Sequence, residues 1–114
     1  MQEFLFTLFA GKIFKVGVRM ECTEREIESF LVNRVKALKG MARKWVSPGW
    51  DGAPDRIVLL PQGRIAFVEL KKPAEQPRRL QLKRAKELQA LGFKVFCGVD
   101  SKAEVERLLE EVSR

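Results

Sequence analysis

The sequence predicts a mixed α/β domain with a central sheet of about four strands flanked by helices. Three observations predict it. Two stretches place apolar residues at helical spacing behind a capping signal, Thr23-Glu24-Arg25-Glu26 and Ser101-Lys102-Ala103-Glu104. The segment from Arg56 to Lys71 reads as a strand, the turn Pro61-Gln62-Gly63 and a returning strand. Phe93 to Val99 is a continuous apolar run broken by Lys94, the pattern of an interior strand.

With 114 residues the chain forms one domain with a single core. Of the first nineteen residues, Phe4, Leu5, Phe6, Leu8 and Phe9 are apolar but too few for a membrane span, and no signal peptide is expected. Residues 1–19 read as an extension or as an accessory β-hairpin turning at Gly11-Lys12, ahead of a functional domain over 20–114.

The first helix begins at Thr23, carries Ile27, Phe30, Leu31, Arg34, Val35 and Leu38 on its apolar side, and stops at Gly40. Met41 to Val46 reads as a strand. Ser47 to Gly52 is a glycine-rich loop that delivers the chain to Asp55. Past Lys71, the run from Lys72 to Arg79 holds two prolines and three basic residues and suits an exposed loop. A second helix spans about Arg78 to Leu91, with Leu80, Ala85, Leu88 and Leu91 on one side and Gly92 as its stop. After the apolar strand, a last helix runs through Val105, Leu108, Leu109 and Val112.

Charge is the next clue. The chain carries a formal +7, and between Arg64 and Lys94 nine basic residues outnumber three acids. A phosphate backbone is the natural partner of that segment. There is no histidine, which excludes His-based zinc sites, Ser-His-Asp triads and nucleases with a histidine base. Cys22 and Cys97 lack metal-like spacing. Cys97 reads as a buried core thiol, and a reducing cytoplasm is the expected setting.

The hairpin is where chemistry concentrates. If its turn is the three residues Pro61 to Gly63, Leu60 faces Arg64 and Asp55 falls opposite Glu69. Facing residues on antiparallel strands have Cβ atoms roughly 4.5–5.5 Å apart, where like charges repel. A divalent cation between them removes that penalty. Oxygen-only ligands favour Mg²⁺ or Mn²⁺. Lys71 shares the face of Glu69, two residues on, and can orient the attacking water or offset charge on a phosphate. Glu24 and Glu28 share one helix face with Ile27, so either can lean toward the pair; both also suit a solvated acidic first turn. Gln81 lies one turn into the second helix, as a site residue or an exposed glutamine. Trp50 reads as core packing, with base stacking as the alternative.

The pattern Asp55…Glu69-Leu70-Lys71 behind a helix glutamate resembles the PD-(D/E)xK nuclease superfamily. The fuller run Glu24-Arg25-Glu26-Ile27-Glu28, Lys44-Trp45-Val46-Ser47-Pro48-Gly49, Gly52-Ala53-Pro54-Asp55-Arg56, Phe67-Val68-Glu69-Leu70-Lys71, Leu80-Gln81 and Leu91-Gly92-Phe93-Lys94-Val95 resembles the stand-alone, virus-type VRR-NUC domains. That likeness extends from Val18 or Met20 to about Val112. The resemblance implies a restriction-endonuclease-like α-β-β-β-α-β core with an added C-terminal helix. It implies a metal-dependent endonuclease, a homodimer, able to act on branched DNA such as Holliday junctions. Carried over, Asp55 and Glu69 match the metal carboxylates, with Leu70 between the motif residues placed at the metal, Lys71 matches the catalytic lysine, and Gln81 a helix glutamine directed at the site. Glu24 is the best match for the helix acid and Glu28 the alternative. Lys44, Lys72, Arg78, Arg79 and Lys83 are the expected DNA contacts. A nonspecific or flap-directed nuclease with the same site, or a noncatalytic DNA-binding module, are the rival readings.

Overall fold

The computed structural model describes residues 22–73 and 75–114 and, before them, the backbone of two strands. Strand β1 (Leu5–Phe9) pairs antiparallel with β2 (Lys12–Val16) as a two-stranded sheet of its own. The expected turn residue Gly11 and the domain start near Met20 lie outside the described residues.

Helix α1 (Glu24–Ala37) starts as its capping signal predicts, the Glu26 amide donating to the Thr23 hydroxyl at 3.2 Å. Ile27, Leu31 and Val35 are wholly buried along one stripe. The helix ends at Ala37, three residues before Gly40, and the left-handed residue after it is Lys39. Gly40 serves a different need. A Cβ there would lie 2.2 Å from the Leu59 carbonyl oxygen, so only glycine lets the chain cross this closely into the sheet.

The main sheet has the order β3-β4-β5-β6: β3 (Met41–Lys44), β4 (Arg56–Leu60), β5 (Arg64–Leu70) and β6 (Lys94–Val99). The first three are antiparallel in turn, and β6 lies parallel to β5. Strand β3 is shorter than expected and keeps only Ala42 buried, though the Trp45 amide still reaches the Asp55 carbonyl at 2.9 Å. The turn holds as three residues, with Leu60 opposite Arg64.

Helix α2 (Arg79–Ala90) covers one face of the sheet; α1 and α3 (Lys102–Val112) cover the other. On the α2 side the core is Phe67, Ala85, Leu88 and Val95, packed with Trp45, Trp50, Ile57 and Ile65. On the other side Val58, Leu60, Val68 and Leu70 meet Ile27, Leu31, Val35, Val105, Leu108 and Leu109. Two expectations change here. Strand β6 is an edge strand; its apolar run reports burial between α2 and α3 on its two faces, not a central position. The buried stripe of α2 is Gln81, Ala85 and Leu88, while Leu80 and Leu91 are exposed. Leu80 instead packs on Gly52, and Leu91 lies past the helix end, where no sheet covers it.

Candidate active site

Strand parity puts Arg56, Val58 and Leu60 on the α1 face of β4, and Asp55 and Ile57 on the α2 face. The β4–β5 register pairs Arg56 with Val68, so Asp55, one residue earlier, stands opposite Glu69. Main-chain geometry ties the pair together: the Leu70 amide donates to Asp55 Oδ1 at 3.4 Å. Leu70 brings only its main chain to the site, because its side chain is 2% exposed in the opposite core.

Glu69 is the centre of the arrangement. It is 4% exposed, and its Oε1 accepts from Gln81 Nε2 at 2.7 Å. Gln81 is itself buried, not solvent-facing, and its Oε1 accepts the Arg78 amide at 2.8 Å. The helix start therefore dictates which end of the Gln81 amide faces Glu69. Lys71 Nζ lies 3.9 Å from the same Oε1 and 4.0 Å from Glu75. The other oxygen, Glu69 Oε2, is buried without a hydrogen-bond partner. A buried carboxylate oxygen left bare is costly, and a cation is what would satisfy it.

Electrostatics point the same way. Burial first, then the Asp55 charge, push the Glu69 carboxyl from 4.5 up to about 7, against the pull of Lys71. Asp55 is also raised, chiefly by burial, with the Leu70 amide opposing and the Glu24 charge adding to the rise. Two carboxyls that resist ionising side by side are a site short of positive charge. Their all-oxygen donor set and the bare Glu69 oxygen fit a hard divalent ion.

The helix acids come from the opposite face of the sheet. Glu28 is held by Arg56, with Nη2 to Oε1 at 2.5 Å, whereas Glu24 makes no hydrogen bond or ion pair among the described residues. Among the described residues no three acids or cysteines close into a metal-holding group, so the structure does not bring Glu24 into one with Asp55 and Glu69.

A bulge shapes the far side. Val68 pairs with Phe96 but Leu70 with Val99, so β6 carries an extra residue opposite Glu69. Gly98, at φ +73°, takes it up, and Pro77 of the basic loop packs where a Cβ would point. The Cys97 thiol is half-buried here, packed against the core on the α2 side rather than wholly inside it, and burial and the Glu69 charge push its pKa up. Lys44, Lys72, Arg78, Arg79 and Lys83 are all exposed, and none forms an ion pair among the described residues. Arg84 differs. It donates to the Asp51 carbonyl at 2.8 Å and lies 5.1 Å over Trp50, fastening α2 to the loop that leads to Asp55. Trp50 is indeed packed, against Trp45 at 5.9 Å.

Sequence reasoning missed the Arg56–Glu28 pair. Its signal was the parity that sets Arg56 on the same side as Val58 and Leu60, facing a helix with acids.

An α/β sheet that sets an Asp and a Glu opposite one another beside a buried lysine offers oxygen ligands for a hard cation next to a positive charge. No family model matches the chain. A protein of Acyrthosiphon pisum secondary endosymbiont phage 1, described as "Putative nuclease p44", is 50% identical over 73 residues, 64% of this chain and 78% of that one. A solved structure described as "VRR_NUC domain" superposes with a TM-score of 0.71 at 35% identity, covering 78% of this chain and 97% of that one. The chain belongs to the VRR-NUC family. Nuclease function goes with that membership. No helix among the described residues is long and apolar enough to cross a membrane.

Proposed function

We propose that the chain, over residues 20–114, is a Mg²⁺- or Mn²⁺-dependent endodeoxyribonuclease, selective for branched DNA such as Holliday junctions. The observation that carries the reading is the bare, buried Oε2 of Glu69, on a residue that the strand register sets opposite Asp55.

Asp55 and Glu69 would hold the ion, and Glu24 and the Leu70 main chain would complete its surroundings. Bound there, the ion supplies Lewis-acid stabilisation of the phosphate and lowers the pKa of water at the site. Gln81 fixes the Glu69 carboxylate by donating to Oε1, leaving Oε2 free for the ion. Lys71, packed against Glu69, places its ammonium where it can orient the attacking water and offset charge building on the phosphoryl oxygens. Burial excludes bulk water and strengthens each of these interactions. Lys44, Lys72, Arg78, Arg79 and Lys83 hold the phosphate backbone on either side. Cleavage of both strands of a junction calls for two such sites, and we assign them to a homodimer acting in the cytoplasm of a bacterial or phage-infected cell.

The deciding assay follows nicking and junction cleavage with Mg²⁺, Mn²⁺ or EDTA, for wild type and Lys71→Ala. Cleavage by wild type alone, and only with metal, is the expected outcome. Cleavage that survives EDTA sinks the metal mechanism. DNA binding without cleavage marks a noncatalytic module, and equal rates on junction, flap and linear duplex remove the branch preference.

A further inference from the structure

The two helix acids sit one turn apart on the same face of α1, about 6 Å along the axis. What separates their fates is Arg56. Its side chain is 9% exposed, with Nη2 on Glu28 Oε1 and Nη1 3.4 Å from the Ala42 carbonyl. A guanidinium buried this deeply persists only with partners, and these two come from different elements, α1 and β3. The side chain thus ties the start of α1 to the sheet at its site end. It is also the chain neighbour of Asp55, so the same residue that anchors the helix anchors the carboxylate.

We infer that Arg56 selects and positions the helix acid: by taking Glu28 into a buried ion pair it withdraws that carboxylate from the ion and holds Glu24 over the end of β4 beside Asp55. The inference rests on the metal-dependent reading above. Glu28, neutralised by an adjacent guanidinium, is a poor partner for a second cation, because that guanidinium repels the ion. Glu24 makes no hydrogen bond or ion pair among the described residues, so its carboxylate remains available to the ion. Arg56 acts through Glu24 and is a positioning residue.

Mn²⁺ binding measured by calorimetry or by electron paramagnetic resonance tests this without turnover. Arg56→Met alone would strand Glu28, so the informative variant is Arg56→Met with Glu28→Gln, which removes one charge of each sign and leaves the net field at the site nearly unchanged. Circular dichroism checks that it folds. Glu24→Gln is expected to weaken Mn²⁺ binding by about 10- to 100-fold, and the paired variant by about 10-fold, the range that outer-shell partners command. Glu28→Gln, which can still hydrogen-bond Arg56, shifts it by less than about 3-fold. Adding the paired change to Glu24→Gln costs nothing further, since both losses act through one carboxylate. The inference fails if Glu28→Gln weakens binding as much as Glu24→Gln, if the folded paired variant binds like wild type, or if the two losses multiply. Asp55→Asn is the control: Mn²⁺ binding untouched by that change overturns the metal reading itself, whatever Arg56 does.

Discussion

Gln81 donates to one oxygen of Glu69 at 2.7 Å and leaves the other oxygen without a partner. The direction of that bond is set elsewhere, by the Arg78 amide that occupies the Gln81 carbonyl. Gln81 is thus a fixed donor, and it holds one oxygen of Glu69 while the other stays bare. Gln81→Met keeps the apolar stem of a buried helix residue but frees Glu69 to rotate. We expect cleavage to fall about 10- to 100-fold with DNA affinity nearly unchanged. Single-turnover rates against binding isotherms check this. A matching loss of DNA affinity would mean that Gln81 serves the helix start rather than Glu69.

The raised Glu69 pKa makes the metal-free protein sensitive to pH. The folded value of about 7 lies above the 4.5 of the free group, so the native state favours the protonated acid. Stability contributed by that acid is complete below about 4.5 and is lost as pH climbs through about 7. The loss is at most about 3 kcal/mol. In EDTA the melting temperature should therefore fall between pH 5 and 8. Mg²⁺ or Mn²⁺ should restore it at pH 8 and do little at pH 5, because the ion must displace protons from its carboxylates. Glu69→Gln should flatten the profile. A wild-type melting curve indifferent to pH in EDTA would show that Glu69 is ionised without help.

Lys71 is 9% exposed and lies between Glu69 and Glu75, at 3.9 and 4.0 Å. Its removal leaves Glu69 with less compensation, so Lys71→Ala has two consequences. Cleavage should drop by about 10²- to 10⁴-fold, the scale of a lost proton-handling or charge-stabilising group. The carboxylate should also ionise at higher pH, moving the metal-dependent rise in stability upward. Both are measurable on one protein, by single-turnover cleavage and by melting curves with Mg²⁺ across pH. Cleavage within a few-fold of wild type would remove Lys71 from the chemistry.

Much of this site was legible because strand geometry is strict. A three-residue turn sets the register, and the register alone sets Asp55 against Glu69. Parity likewise put Glu69 and Lys71 on one face. Helical periodicity was less decisive: Leu80 and Leu91 read as core positions beside Ala85 and Leu88, but the buried stripe runs through Gln81. A glutamine enters a core only when its amide is fully bonded, and its partners, Arg78 and Glu69, are three and twelve residues away. The choice between Glu24 and Glu28 was illegible for the same reason. Only the fold shows that Glu28 is already paired, with Arg56, 28 residues away. The edge position of β6 was hidden because an apolar run records what covers a strand, not what flanks it.

The exposed basic residues should separate from the structural one by salt dependence. Lys72, Arg78, Arg79 and Lys83 project from the loop and the start of α2, free of ion pairs among the described residues. Each that neutralises a phosphate releases about one counterion, so its alanine variant should lower the slope of log affinity against log salt by about 0.9. Arg84 is engaged with the Asp51 carbonyl, with Glu87 at 3.1 Å and with the Trp50 ring. Arg84→Ala should leave the slope unchanged. It should instead lower the melting temperature and weaken cleavage by loosening the loop before Asp55, at a cost of about 1–2 kcal/mol. Fluorescence anisotropy on a junction across 50–200 mM salt, beside thermal melts, reads both quantities. A reduced slope for Arg84→Ala would place it on the DNA, and an unchanged slope for all four exposed residues would move the phosphate path off this face.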